Sequence, residues 1–207
     1  MNTRPSFRMS TESDLLLREM SHRVNNEFAS AIGMVSLAAA RSPSAEVRAA
    51  LNSVLEKLDS YAQVHRALEI PRTSSRIDAS SYLCDLCRLI SSSKLACRNI
   101  ELVFVERPPI QLTPEICWRL GMVVSELITN VVRHAFDERG GTIRVELKTQ
   151  RGQTECRVSD NGIGMEVCSH GNGTKIVNAL VDAIGGNFEQ YSGPDGTLSI
   201  IVFPVAN

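Results

Sequence analysis

Asp160-Asn-Gly-Ile-Gly-Met165 decides how the second half of this chain is read. It follows Thr154 to Ser159, a run that reads as a β-strand. Gly162 and Gly164 let the backbone turn sharply and approach a flat ligand closely. Asp160 offers a carboxylate that accepts a hydrogen bond from an exocyclic amine. By itself the signal is modest, because D-N-G also makes ordinary turns. Further on, Gly171-Asn-Gly173-Thr174 opens a helix. Glycines ahead of a helix N-terminus make an anion site from unpaired N–H groups and the helix dipole. Upstream, Glu126, Asn130, Arg133 and His134 are spaced by three or four residues and share one helix face. An Asn carbonyl oxygen suits a hard cation, and Arg and His suit phosphate oxygens. A solvated helix face explains the same spacing.

The surrounding pattern supplies the frame. Pro114 opens a helix over Glu115 to Phe136, with Ile116, Leu120, Val124, Leu127 and Val131 on its apolar side. Asp78 caps a helix running to about Ala96, and Ile100 to Glu106 alternates like a strand. Thr142 to Thr149 is a strand with Ile143, Val145 and Leu147 facing one way and Arg144, Glu146 and Lys148 the other. Gly140-Gly141 and Arg151-Gly152 supply turns. A helix from about Thr174 to Ile184 ends at Gly185-Gly186. Strands at 187–192 and 197–203 close the chain. Several antiparallel strands mixed with helices predict a two-layer α/β sandwich over residues 77–207.

The first third has a different period. Leu17, Met20, Val24, Phe28, Ala31, Val35 and Ala38 form a seam of steps three and four on a helix capped by Thr11 or Ser13 and reaching Arg41. After Arg41-Ser-Pro-Ser44, with Pro43 expected just inside the next helix, Val47, Leu51, Val54, Leu58, Tyr61, His65 and Leu68 form a second stripe to about Ile70. His65 on that stripe is expected to be a packed or hydrogen-bonded core histidine. Residues 12–70 therefore read as an antiparallel helical hairpin. One hairpin buries two stripes poorly, and a dimeric four-helix bundle is the simple remedy. Pro71 to Arg76 is a polar break and a candidate hinge. The whole is an α+β chain.

Composition narrows the function. The 207 residues fit one large or two small domains, at roughly 100–200 residues per domain. Hydrophobic residues make up 43%, enough for a packed core. A net charge of −1 carries no nucleic-acid footprint. The longest apolar candidate, Ala29 to Ala40, is too short and too broken for a membrane span, and residues 1–14 lack the apolar core of a secretion signal. The six cysteines suit free thiols in a reducing cytoplasm. Cys84 and Cys87 form a lone C-x-x-C without further ligands, which reads as two small apolar residues on a helix face.

Order and spacing carry more than the parts. Glu126-Leu-Ile-Thr-Asn130-Val-Val-Arg-His134-Ala-Phe136 resembles the N box of histidine kinases. Asp160 to Met165 resembles their first glycine box, Gly171 to Val177 the second, and Gly196-Thr197 the closing motif. The ATPase module so marked is shared with gyrase-type enzymes and MutL-type repair proteins, the GHKL type. Arg18-Glu-Met-Ser-His22-Arg-Val-Asn-Asn26 resembles the phosphoacceptor box of HisKA_2 and HWE-like kinases, in which Arg follows the histidine as Arg23 does here. Tyr61-Ala-Gln-Val-His65-Arg resembles their second helix. His22 also stands out without the family: at about 100° per residue it lies roughly opposite Met20 and Val24, among polar neighbours, where an imidazole nitrogen is open for nucleophilic attack.

The resemblance implies ATP bound with Mg²⁺. Asp160 recognises the adenine amino group and Asn130, flanked by Glu126, holds the metal. Arg133 and His134 meet phosphate oxygens. Gly162, Gly164, Gly171, Gly173 and Thr174 shape the pocket, and Thr197 supports the adenine side. The γ-phosphoryl group passes to His22 and then to an Asp of a response-regulator receiver domain. Glu19, one turn before His22, is the candidate general base, and Asn25 and Asn26 are candidates for positioning a partner or water. Two features depart from the pattern: six residues separate Gly164 from Gly171, a short lid, and no sensor domain precedes the hairpin, so a signal would come from a separate protein. They keep open a histidine phosphotransfer protein that shuttles phosphate between receivers without ATP turnover. A gyrase-like ATPase, in which His22 is incidental, is the third reading.

Overall fold

The structure, a computed structural model, describes residues 11–70, 75–95, 98–105, 108–136, 140–164 and 172–205, with backbone alone at 11–18, 94 and 172. The chain divides into two compact units, one reaching to Glu69 and the other beginning at Ile70.

In the first unit, α1 (Thr11–Arg41) and α2 (Ala45–Ala67) pack together as a hairpin. Ser44 caps α2, its hydroxyl accepting from Val47 N–H at 3.3 Å, so Pro43 precedes the cap rather than opening the helix. The helix stops at Ala67, with His65 and Arg66 in the last turn, where positive charge complements the dipole. Between the helices Ala39, Ala62 and Val64 are buried. His65 departs from expectation. It is solvent-exposed rather than a core residue, with its ring leaning on Phe28 at 5.2 Å between centroids. Much of both stripes remains outside: Met20 is 62% and Val24 36% exposed, Val47, Val54 and Tyr61, seven residues apart, are all exposed, and beside the first stripe Met34 is 66% exposed.

The second unit is the α/β sandwich. A short ladder joins β1 (Ile77–Asp78) to β3 (Gln111–Leu112), two strands too short for a periodicity reading to find. Asp78 Oδ1 accepts from Ser80 N–H at 3.0 Å, capping α3 (Ala79–Ile90), and also from Ile110 N–H at 3.2 Å. The expected longer helix ends at Ile90 and gives way to a π-helical turn, Ser91–Leu95, in which Ser92 and Ser93 hydroxyls donate back to Leu89 and Ile90 carbonyls. The main sheet has five strands in the order β2 (Ile100–Val105), β4 (Gly141–Gln150), β5 (Gln153–Asp160), β7 (Gly196–Pro204), β6 (Asn187–Gly193). β2 runs parallel to β4, which the sequence reading did not foresee, and the other pairings are antiparallel. The parallel pair follows from the crossover through α4 (Pro114–His134).

Arg151 and Gly152, at φ of 53° and 78°, make the two-residue turn between β4 and β5. α5 (Asn172–Asp182) ends in a left-handed Gly185, with Gly186 N–H bonded to the Val181 carbonyl at 3.0 Å. One sheet face carries Ile143, Val145, Leu147, Val158, Ile201 and Phe203 against Leu83, Leu86, Leu120, Val124, Ile128 and Val177. The other face carries charge, with Lys148 and Arg157 both paired to Glu155. Phe203 is the largest fully buried side chain among the described residues. Phe203→Ala is expected to cost about 3–5 kcal/mol of stability, read as a lower urea midpoint with an unchanged slope.

Candidate active site

α4 is the spine of the site. Thr113 caps it, accepting from Ile116 N–H at 3.4 Å, with Pro114 at the first position, where no amide is needed. Its apolar side buries Leu120, Val123, Val124, Leu127 and Ile128, and Arg98 donates to the Val132 carbonyl at 3.2 Å near the far end. This anchoring fixes the flank. Glu126 and Asn130, one turn apart, are half-buried, while Arg133 and His134 are exposed. A Cβ on Gly173, in the first turn of α5, would lie 2.4 Å from Glu126 Oε1 and 3.3 Å from Asn130 Nδ2. The start of α5 is therefore set directly on the two polar residues of α4, and Thr174 follows half-buried.

The second half of the site lies where α4 ends. Ile163 N–H donates to the Ala135 carbonyl at 2.9 Å. A Cβ on Gly162 would sit 2.2 Å from that same oxygen, so only glycine permits the approach. Gly164, at φ of +73°, would place a Cβ 2.0 Å from the Gly193 carbonyl oxygen, and Gly196, at φ of +122°, one 2.0 Å from the Asp160 carbonyl oxygen. The turn at 160–164 is thus pinned between the end of α4 and the β6–β7 hairpin. Asn161 does structural work. Its Oδ1 accepts from Thr142 N–H at 2.7 Å and holds the turn to β4.

Asp160 is the residue this scaffold presents. Its Oδ1 accepts from Gly162 N–H at 2.9 Å. Burial raises its carboxyl above the ordinary range, and hydrogen bonds from Gly162 N–H and from the Thr197 backbone and hydroxyl offset only part of that. Thr197 is itself buried and shares a 3.3 Å contact with Ser192 Oγ. Asp160 Oδ2 is enclosed with no hydrogen-bond partner among the described residues. A buried carboxylate oxygen without a donor is costly, and an exocyclic amine on a flat ligand supplies the missing N–H. The residues present therefore fit an adenine-like group.

The described residues contain no cluster of three or more His, Cys, Asp or Glu that would cage a metal by itself. Mg²⁺ needs no such cage, since it commonly binds through one or two protein groups plus phosphates and water. Glu126 and Asn130 suit that mode. Gly171 and the segment between Gly164 and Gly171 lie outside the described residues. Ser192, Gly193 and Ala135 line the Asp160 corner without any local sequence signal, because only the tertiary packing brings their backbones there.

On the hairpin, His22 and Asn26 are exposed on α1. Glu19 pairs with Arg23 through a 3.1 Å contact from Nε to Oε1. Asn25 is half-buried and donates to Glu69 at the end of α2.

These features define a class: an α/β sandwich of the GHKL type together with a helical hairpin that carries an exposed histidine. The known proteins agree. Residues 19–94 match the HisKA_2 family, described as histidine kinase. Residues 118–207 match the HATPase_c family, described as histidine kinase-, DNA gyrase B- and HSP90-like ATPase. The chain belongs to the histidine kinases with this pair of modules. Blue-light-activated histidine kinase 2 of Erythrobacter litoralis is 27% identical over 208 residues, covering 95% of this chain and 59% of that protein. Sensor histidine kinase PdtaS of Mycolicibacterium smegmatis is 26% identical, covering 91% of this chain and 39% of that protein. The chain therefore spans between about two fifths and three fifths of these relatives. The histidine kinase domain of the E. litoralis EL346 blue-light activated kinase superposes with a TM-score of 0.60 at 23% identity, covering 95% of this chain and 96% of that one. Full-length ShkA in complex with AMPPNP gives 0.57 at 18%, covering 96% and 47%. Both share the fold. No helix among the described residues is long and apolar enough to cross a membrane.

Because burial raises the Asp160 carboxyl, its ionisation destabilises the nucleotide-free protein once pH rises through the raised value. Asp160→Asn should melt higher than the parent at pH 7, with the difference shrinking as pH falls through the raised value and gone below 3.8, where the parent carboxyl is neutral in both folded and unfolded states. The same variant should lose adenine-nucleotide binding in titration calorimetry. Equal melting at pH 7 would contradict the burial account.

Proposed function

We propose that this chain is a histidine kinase core that phosphorylates His22 from ATP and passes the phosphoryl group to an Asp of a response-regulator receiver domain. The observation that carries the reading is the partnerless Asp160 Oδ2 in a corner only glycines could build. A shuttle that ignores ATP has no need of a buried, destabilised carboxylate. The two family modules, matched at residues 19–94 and 118–207, support the same reading, while most of the candidate hinge at 71–76 lies outside the described residues.

In this mechanism Asp160 accepts from the adenine amino group, and Thr197 steadies that carboxylate. Asn130, with Glu126 beside it, holds Mg²⁺, which when bound neutralises phosphate charge. Arg133, His134 and the N–H groups at the start of α5, from Gly173 and Thr174, take phosphate oxygens. His22 is the nucleophile, Glu19 accepts its proton, and Asn26 positions partner or water. Phosphoryl transfer of this kind rests on positioning and charge neutralisation. The four described cysteines, Cys84, Cys87, Cys117 and Cys156, are free thiols, which supports a reducing, cytoplasmic setting. A sensor module elsewhere, in this protein or another, would supply the signal.

Incubation with γ-labelled ATP and Mg²⁺ tests the reading. Acid-labile label is expected on the parent chain and lost, by more than about 100-fold, in His22→Ala and Asn130→Ala. Label or hydrolysis indifferent to His22 would sink the proposal. Transfer from a phosphorylated receiver to His22, without uptake from ATP, would instead establish the shuttle.

The hairpin proposal is a homodimer. Val47, Val54 and Tyr61 repeat every seven residues and are exposed, as are Met20 and Met34, a pattern that a second hairpin covers by coiled-coil packing. Sedimentation should give twice the 22.7 kDa chain mass, and Val54→Glu should halve it. A parent chain that sediments as a monomer at working concentration would remove the dimer.

A further inference from the structure

We propose that Arg23 is a catalytic residue: it binds the transferring phosphoryl group, and by leaving Glu19 to do so it releases the carboxylate that takes the His22 proton. The inference rests on the phosphotransfer reading above and adds a residue and a sequence of events to it.

The geometry is that of one helix flank. At about 100° per residue, Glu19 lies some 60° around α1 from His22, Arg23 about 100°, and Asn26 about 40°, all to the same side. Along the axis Glu19 is roughly 4.5 Å before His22 and Arg23 about 1.5 Å after. The 3.1 Å contact from Arg23 Nε to Glu19 Oε1 therefore bridges past His22 on its reactive flank. Both side chains are exposed, at 76% and 58%, so water screens the pair and little is lost when it opens. A guanidinium gains far more from a multiply charged phosphate, which its planar fork matches with two parallel N–H···O bonds.

The pair also resolves a conflict in the chemistry. A proton acceptor beside His22 must be anionic, yet the group His22 attacks is anionic too. A lone carboxylate there repels the donor. A carboxylate whose field is offset by Arg23 repels it less, and its paired oxygen becomes open to a proton only when Arg23 has moved to the phosphate. One His22 ring nitrogen then attacks the γ-phosphorus and forms the N–P bond. The bond from that phosphorus to the bridging oxygen breaks, and ADP leaves with the electron pair. The proton on the other ring nitrogen passes to Glu19, leaving a neutral phosphoimidazole ring.

The test uses the full chain, Mg-ATP with γ-label, and four variants: Arg23→Ala, Arg23→Lys, Glu19→Gln and the double variant Glu19→Gln/Arg23→Ala. Arg23→Ala should lower kcat of His22 labelling by at least about tenfold, with KM for ATP within about twofold, because the contact is made in the transition state. Arg23→Lys should restore part of the rate by supplying charge without the fork. The double variant should be no slower than the worse single one, since the two residues act in one exchange. Circular dichroism checks that the hairpin stays helical. A parent that labels beside an Arg23→Ala variant of equal kcat overturns this inference alone. So does strict additivity of the two substitutions. An unlabelled parent removes the phosphotransfer reading, and this inference with it.

Discussion

One backbone contact organises the nucleotide side of this protein: Ile163 N–H to the Ala135 carbonyl, with Gly162 drawn in against the same oxygen. α4 ends at His134, so Ala135 presents a carbonyl that no further turn of helix claims. The turn after β5 uses it. Any side chain at 162 would push the turn off and take Asp160 with it. Gly164 and Gly196 make the matching contacts on the β6–β7 side, where Gly196 comes against the Asp160 backbone. The carboxylate is thus flanked by backbone on both sides, with the buried Thr197 hydroxyl as a further donor. That is how a group whose burial is unfavourable stays buried, with one oxygen lacking a donor among the described residues.

The strain is local, and the core carries it. Phe203, Ile201, Leu147 and Ile128 are fully buried between the sheet and α4. Such a core tolerates a site that costs stability, and ligand binding returns part of that cost by mass action. The hairpin follows a different physics. It has little interior of its own, a few small residues and an Ala-rich contact, and leaves large apolar side chains outside. Its chemistry is presented on an exposed, solvated helix flank. On the function proposed above, the first unit would display the acceptor and the second would enclose and orient the donor.

The sequence made much of this legible. The alternation of Ile143, Val145 and Leu147 with Arg144, Glu146 and Lys148 located β4, because a half-buried strand must segregate its faces with period two. Asp78, Pro114 and Gly185 marked helix ends because each satisfies or avoids a terminal backbone group. The glycine boxes were visible since only glycine allows the approaches they make. Less legible were β1 and β3, two residues each, and the end of α3, where backbone bonding changes to a π-turn within a run of serines. His65 was placed by periodicity in the core; its ring does pack on Phe28, but the residue is exposed, because the two helices face each other slightly around from that stripe and bury Ala62 and Val64.

Local sequence encodes the elements, the motif order and the residue types that chemistry needs: a histidine among polar neighbours, an Asn-bearing helix, an Asp before paired glycines. What those residues face depends on how the elements pack. That Asn161 clamps β4, that Gly173 sets α5 on Glu126, and that one oxygen of Asp160 is sealed without a donor are relations between residues distant in the chain. The physical reason is that local sequence controls backbone dihedrals and amphipathic period, both short-range. Close approach and desolvation arise only when separate elements pack. The Arg23–Glu19 pair lies between the two cases: its spacing is written in the sequence, and the structure shows the contact formed on the His22 flank.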